Sequence, residues 1–307
     1  MRYLEVEGAP TLSRIGLGTW QFGSREWGYG QEYANLEAGR IVRRALELGV
    51  TLIDTAEIYG LGRSERIVGS ALRAGRGRAF LATKLFPLFP VASVVRRRAA
   101  ASARRLDVSR LDLYQVHQPN PLVPDRATMQ GMRELQDRGV VGEVGVSNYS
   151  LARWRSAEAA LGRRVLSNQV SFSLADRRAA LDVIPYAAQT GRIVIAYSPL
   201  ARGFLSTRYG PHVRPGNLVR RFGLFSAESL GRAQGLFATL REVAGAHEAT
   251  PAQVALAWVI GHPNVVAIVG ASSADQVAAN AAAADLELRP DEIAALAEAA
   301  DTFRPTT

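Results

Sequence analysis

Cysteine is absent from the 307 residues. That excludes disulfides, thiolate nucleophiles and cysteine-ligated metals, and it fits a reducing, cytoplasmic setting. Histidine is scarce: His117, His212, His247 and His262 show neither His-x-His nor His-Glu-x-x-His spacing, so no metal site is expected. No apolar run reaches the length of a membrane span, and the opening MRYLEVEGAP lacks the apolar stretch of a secretory signal. Lysine is scarcest of all. Of the 37 basic residues one is lysine, Lys84, and the others are arginine. A guanidinium is broad and always charged, whereas an ammonium is compact and has a tunable pKa. A chain that places arginine nearly everywhere keeps lysine either by chance or where arginine cannot serve.

What is present is ordinary for a folded enzyme-sized chain. Hydrophobic residues make up 48% and charged residues 21%, enough for a sizeable core. The formal charge of +9 raises nucleic acid as a partner. However, Arg96, Arg97, Arg98, Arg104 and Arg105 fall inside helix-like stretches with no accompanying nucleic-acid motif. They read as solvated helix faces, so neither nucleic acid nor a membrane is expected as partner.

Short apolar runs at 15–17, 51–54, 79–83, 111–116, 141–146, 166–170, 193–196 and 265–269 have strand character. Helix-like stretches alternate with them at 34–48, 64–72, 91–106, 126–138, 151–161, 179–190, 230–243, 251–259 and 274–282. Eight strands, nearly all followed by a helix, predict a single (β/α)8 TIM barrel over residues 1–307. Residues 2–14 are expected to form an N-terminal hairpin across the barrel's bottom, and Pro290 to open an extra C-terminal helix. The stretch 201–227, rich in Gly, Pro and Arg, is expected to be a functional loop.

In such a barrel chemistry collects at the C-terminal strand ends. Asp54 ends the second strand in TLIDTAEIYG, and Tyr59 follows it. Lys84 ends the third in FLATK, and His117 the fourth in LDLYQVH. Adjacent strands lie about 5 Å apart, so the four side chains converge. A phenol is a poor acid near neutrality, but an adjacent ammonium favours the phenolate and a carboxylate holds that ammonium. Singly, Asp54 reads equally as a turn cap or a functional group, Tyr59 as rim packing and His117 as a satisfied buried histidine. Jointly they suit protonation of a carbonyl oxygen.

DTAEIYGLGRSE, the strand-end Lys84 and the His117 segment resemble the aldo-keto reductases, from GLGTW at 16–20 to IVGASSADQVAAN at 268–280. The resemblance implies NADPH-dependent reduction of a small carbonyl compound, with Asp54, Tyr59, Lys84 and His117 at the catalytic positions and Tyr59 as proton donor. It also implies cofactor contacts from Gly18, Thr19, Trp20, Asp54, Ser147, Asn148 and Gln169. Tyr197, Ser198, Pro199, Leu200, Gly203 and Arg208 follow in AYSPLARGFLSTRY, and Gly270, Ser272, Gln276 and Asn280 complete the set. The cofactor segments are similar to those of the potassium-channel β subunits.

Two positions depart from the family's pattern. Gln276 stands where many members carry arginine for the 2′-phosphate, and Ala279 where glutamate usually meets adenine. NADPH is still expected over NADH, with Arg208, Arg220 or Arg221 supplying the phosphate contact. Trp20, Phe22, Trp27 and Phe86, with Tyr59 and His117, are expected to line the substrate pocket. Two other readings stay open: imine formation on Lys84, as in a Schiff-base lyase or aldolase, and a nucleotide-sensing subunit with slow turnover.

Overall fold

A short antiparallel hairpin, β1 (Tyr3–Leu4) and β2 (Leu12–Ser13), pairs Leu4 with Leu12 ahead of the main sheet. The computed structural model describes residues 1–23, 32–73, 75–210, 212 and 223–303. Beyond the hairpin, eight parallel strands close into a barrel. They are β3 (Ile15–Gly18), β4 (Leu52–Asp54), β5 (Phe80–Leu85), β6 (Leu111–Val116), β7 (Val141–Ser147), β8 (Ser167–Ser171), β9 (Ile193–Tyr197) and β10 (Val265–Val269). The ring shuts where Ile268 of β10 pairs with Gly16 of β3.

The helices clothe this ring. They are α1 (Glu32–Glu47), α2 (Arg63–Leu72), α3 (Ala92–Leu106), α4 (Asp125–Asp137), α5 (Leu151–Leu161) and α6 (Val183–Thr190). After β9 come α7 (Ala227–Arg232), α8 (Gln234–Ala246) and α9 (Pro251–Ile260), and after β10 come α10 (Ala274–Ala282) and α11 (Pro290–Thr302). The architecture is the expected (β/α)8 barrel with its hairpin and its extra C-terminal helix.

The two-residue period of a strand decides what faces inward. Leu52, Ala82, Leu113, Ile193, Ile195, Val266 and Ile268 form an inner cluster that the hairpin's Leu4 and Leu12 join. Their neighbours Ile53, Leu81, Tyr114, Val194 and Ala267 pack outward against the helices. Two residues on from Leu52, Ala82, Leu113 and Ile195 stand Asp54, Lys84, Gln115 and Tyr197. The same alternation that packs the barrel floor with hydrocarbon therefore places its polar residues at the C-terminal mouth.

Among the element boundaries that differ from expectation, three have a visible cause. β5 continues through Leu85 because Lys84 and Leu85 keep pairing with Gln115 and Val116. The helix expected at 179–190 starts at Val183, whose backbone N–H is capped by Asp182, after a 3-10 turn at Arg178–Ala180. The one expected at 230–243 is two helices, the first capped by Ser226 accepting from the Ser229 N–H. Elsewhere local signals hold: Thr250 and Gln253 form a capping box with Pro251 in the first turn of α9.

Candidate active site

Lys84 is wholly enclosed, and its ammonium spends its three donors inside the barrel mouth. It donates to Asp54 Oδ1 at 2.5 Å, to the Thr55 carbonyl at 2.9 Å and to the Tyr59 hydroxyl at 3.3 Å. The other Asp54 oxygen accepts from Gln169 Nε2 at 2.9 Å and Gln115 Nε2 at 3.3 Å. Burial alone would lower the Lys84 pKa, but Asp54 and then Tyr59 more than offset it, so the net direction is upward. The ammonium therefore stays charged.

Tyr59 and His117 share the wall above this pair, their rings 5.7 Å apart and edge-on. The Tyr59 phenol is pushed up, first by burial, with Lys84 opposing and Asp54 reinforcing. The His117 imidazole is pushed down to about 3, by burial and then by the Lys84 charge, so it is neutral near pH 7. Its Nδ1 is buried without a protein partner.

The loop carrying Tyr59 is held by direct backbone contact. A Cβ on Gly23 would lie 2.4 Å from the Tyr59 carbonyl carbon and 2.5 Å from the Gly60 nitrogen. Gly60 itself has φ +58°, and its own Cβ would meet the Gly23 oxygen at 2.5 Å. Only glycine on both sides permits this approach. Ser64 adds a hydroxyl knot with Thr19 and Thr55 at 2.8 and 2.9 Å, and Thr19 Oγ1 donates to the Asp54 carbonyl at 2.9 Å.

A family profile described as the aldo/keto reductase family matches residues 14–301. The chain belongs to that family of oxidoreductases. An uncharacterized oxidoreductase of Mycobacterium tuberculosis is 58% identical over 100% of this chain and 95% of its own length. The methylglyoxal reductase YeaE of Escherichia coli is 34% identical over 97% of this chain and 94% of its own. Among solved structures, an aldo/keto reductase of Klebsiella pneumoniae in complex with NADP and acetate aligns at TM-score 0.79 and 30% identity, over 99% of this chain and 96% of that one. The glycerol dehydrogenase AKR11B4 of Gluconobacter oxydans aligns at TM-score 0.90 and 26% identity, over 99% and 97%.

In this aldo/keto reductase chain, Asp54, Tyr59, Lys84 and His117 come together at one end of the barrel. A cavity of about 400 Å³ opens beside them, lined by Trp20, Gly23, Ile58, Tyr59, Gly60, Phe86, His117 and Gln118. Phe22 does not line it, contrary to expectation. The 3-10 turn Trp20–Gly23 leaves Trp20 54% exposed and turns Phe22 fully into the core. Trp27, Arg220 and Arg221 lie outside the described residues. Thr19 is buried, and its hydroxyl ties the Asp54 carbonyl to Ser64.

Ser147, Asn148 and Tyr197 adjoin the same mouth. Tyr197 donates to Asn148 Oδ1 at 3.0 Å, and Asn148 Nδ2 donates to the His117 carbonyl at 3.2 Å. Ser198, Ala201, Arg202 and Gly203 all have positive φ, and Pro199 is buried among them. Leu200 accepts the Gly203 N–H at 2.9 Å, and Arg208 lies beside Gly203. Gln276 Oε1 accepts from the Ser272 N–H at 2.7 Å, and Asn280 Nδ2 reaches the Gly270 carbonyl at 3.4 Å. Both thus brace the 270–272 backbone, which also abuts Gly18.

Sequence reasoning missed Gln115, Ile58, Gln118 and Gln21. Gln115 had a signal, two positions before His117 on an inward-facing register. Gln21, which donates to the Ala271 carbonyl at 2.7 Å, had none.

Proposed function

We propose that this chain reduces an aldehyde or ketone to the alcohol with NADPH, Tyr59 giving the proton to the carbonyl oxygen. The observation that carries this is the Tyr59 hydroxyl 3.3 Å from a buried, charged Lys84, on the wall of a cavity shared with neutral His117. Burial keeps Tyr59 protonated until it is used, and the Lys84 ammonium then stabilises the phenolate left behind. Asp54, held by two carboxamides, keeps the ammonium aimed. Neutral His117 offers an N–H to the substrate oxygen and adds no competing charge.

The donor set fits a phosphate-bearing dinucleotide. After β9, Ser198 and the run Ala201–Gly203 hold positive φ in a tight, internally bonded turn. Arg208 is exposed, lies beside that turn and has no carboxylate partner among the described residues. Ser147 and Asn148 would hold a carboxamide, with Gln169 beneath, and the capped N-terminus of α10 faces the 270–272 segment. When bound, NADPH supplies the hydride. The described cavity walls carry no charged side chain, which favours small uncharged carbonyl compounds.

Imine formation is disfavoured on the same observations. A Schiff base needs a neutral, reachable amine, and Lys84 is enclosed and held charged. The test is NADPH consumption across a panel of aldehydes and ketones, for wild type and Tyr59→Phe. The variant should turn over roughly 10²–10⁴-fold more slowly with NADPH binding retained. Near wild-type turnover in Tyr59→Phe sinks the assignment. A background rate for wild type across the whole panel, with NADPH still bound, sinks the reductase reading.

A further inference from the structure

Glu57 sits in the loop between Asp54 and Tyr59, yet its hydrogen bonds all go to other elements. Its backbone N–H donates to the Lys84 carbonyl at 3.4 Å. Its carboxylate accepts the Phe86 N–H at 2.5 Å. One residue thus grips the main chain on both sides of Leu85, the last residue of β5. The strand bearing the ammonium is tied to the loop bearing the phenol.

A chain of charge, with buried carboxylates and half-buried arginines, backs this grip. Arg98 of α3 approaches the Glu57 carboxylate at 2.9 and 3.0 Å, and Arg105 stands 3.9 Å away. Arg105 also meets fully buried Glu65 at 2.5 Å, and Glu65 accepts from the Thr83 hydroxyl at 2.7 Å. Both ends of the network therefore land beside Lys84, at Thr83 in β5 and at Phe86 just past its end. Burying paired charges rarely adds stability beyond what apolar residues of equal volume would give. Two carboxylates aimed at one strand call for a role in placement.

We propose, building on the reductase reading, that Glu57 is a positioning residue that sets the Lys84–Tyr59 spacing and the seat of Phe86 in the pocket wall. It acts mechanically. The charges that chiefly act on the Tyr59 phenol are those of Lys84 and Asp54. What matters is a long acceptor reaching the Phe86 N–H. Glu57→Gln keeps that acceptor and loses the charge, whereas Glu57→Asp keeps the charge on a stem one methylene too short. A displacement near 1 Å at reacting groups costs on the order of 10²-fold in rate.

The experiment compares wild type, Glu57→Gln and Glu57→Asp by kcat per folded molecule, NADPH affinity and NMR titration of the Tyr59 phenol. Glu57→Gln should keep kcat within a few-fold while losing thermal stability, because Arg98 loses its counter-charge. Glu57→Asp should drop kcat by roughly 10–100-fold at unchanged NADPH affinity. It should also raise the Tyr59 titration point, because Lys84 would lie farther away. A purely structural residue gives the opposite ranking, with Glu57→Asp fully active when folded and Tyr59 titrating as in wild type, and that result overturns the proposal. The phenol titration needs no turnover. An inactive wild type therefore sinks the reductase reading, while the titration still decides the role of Glu57.

Discussion

Replacing Lys84 by methionine removes the ammonium while keeping most of its volume. The change strips Asp54, itself 1% exposed, of its ion pair. Oδ2 retains Gln115 and Gln169, but Oδ1 is left without its 2.5 Å partner. An uncompensated buried charge costs about 3–5 kcal/mol. For a chain of this size that is a fall in Tm of roughly 5–8 °C. Asp54→Asn alone strands the ammonium instead and should also destabilise. The double variant, Asp54→Asn with Lys84→Met, presents two neutral groups and should recover much of the loss, with a coupling energy of at least ~2 kcal/mol. Activity should not return with stability, because Tyr59 has lost the cation that stabilises its phenolate. The assay is urea unfolding of the four proteins, with NADPH-dependent reduction measured on each. Additive single losses, with coupling below about 0.5 kcal/mol, would show that the pair does not act as a unit and refute the reasoning.

Three further outcomes follow from the same geometry. Arg208→Ala should weaken NADPH by about 1.5–3 kcal/mol and NADH much less, by fluorescence titration at fixed salt; equal losses would place Arg208 on the shared pyrophosphate instead. Gly23→Ala should cut kcat by roughly 10²-fold, since a Cβ 2.4 Å from the Tyr59 backbone must displace the loop; a fully active alanine variant would mean the loops separate freely. His117 has a folded pKa of about 3, below its unfolded value near 6.5. The unfolded chain therefore binds the extra proton first as pH falls, and stability should decline by about 1.4 kcal/mol per pH unit across that window. His117→Asn should flatten that decline in pH-dependent unfolding, and an unchanged slope would mean that the ring titrates normally in the fold.

The barrel was legible because its strands obey a two-residue period. Leu52-x-Asp54, Ala82-x-Lys84 and Leu113-x-Gln115-x-His117 put hydrocarbon on the barrel floor and polar groups at its mouth whatever the loops do. The single lysine among arginines marked its own position, because the two cations differ in shape and acidity. Helix starts at Pro251 and Pro290 were equally local. What the chain did not reveal depends on contacts between distant residues. Gln169 reaches Asp54 across 115 positions, and Gly23 meets Gly60 only because two loops from neighbouring strands cross. The 3-10 turn that separates Trp20 from Phe22 likewise decides which aromatic lines the cavity and which fills the core. Local periodicity determined the barrel and the residues at its rim. Only the folded chain, by closing loops onto one another, decided which of those side chains touch and which backbone holds them there.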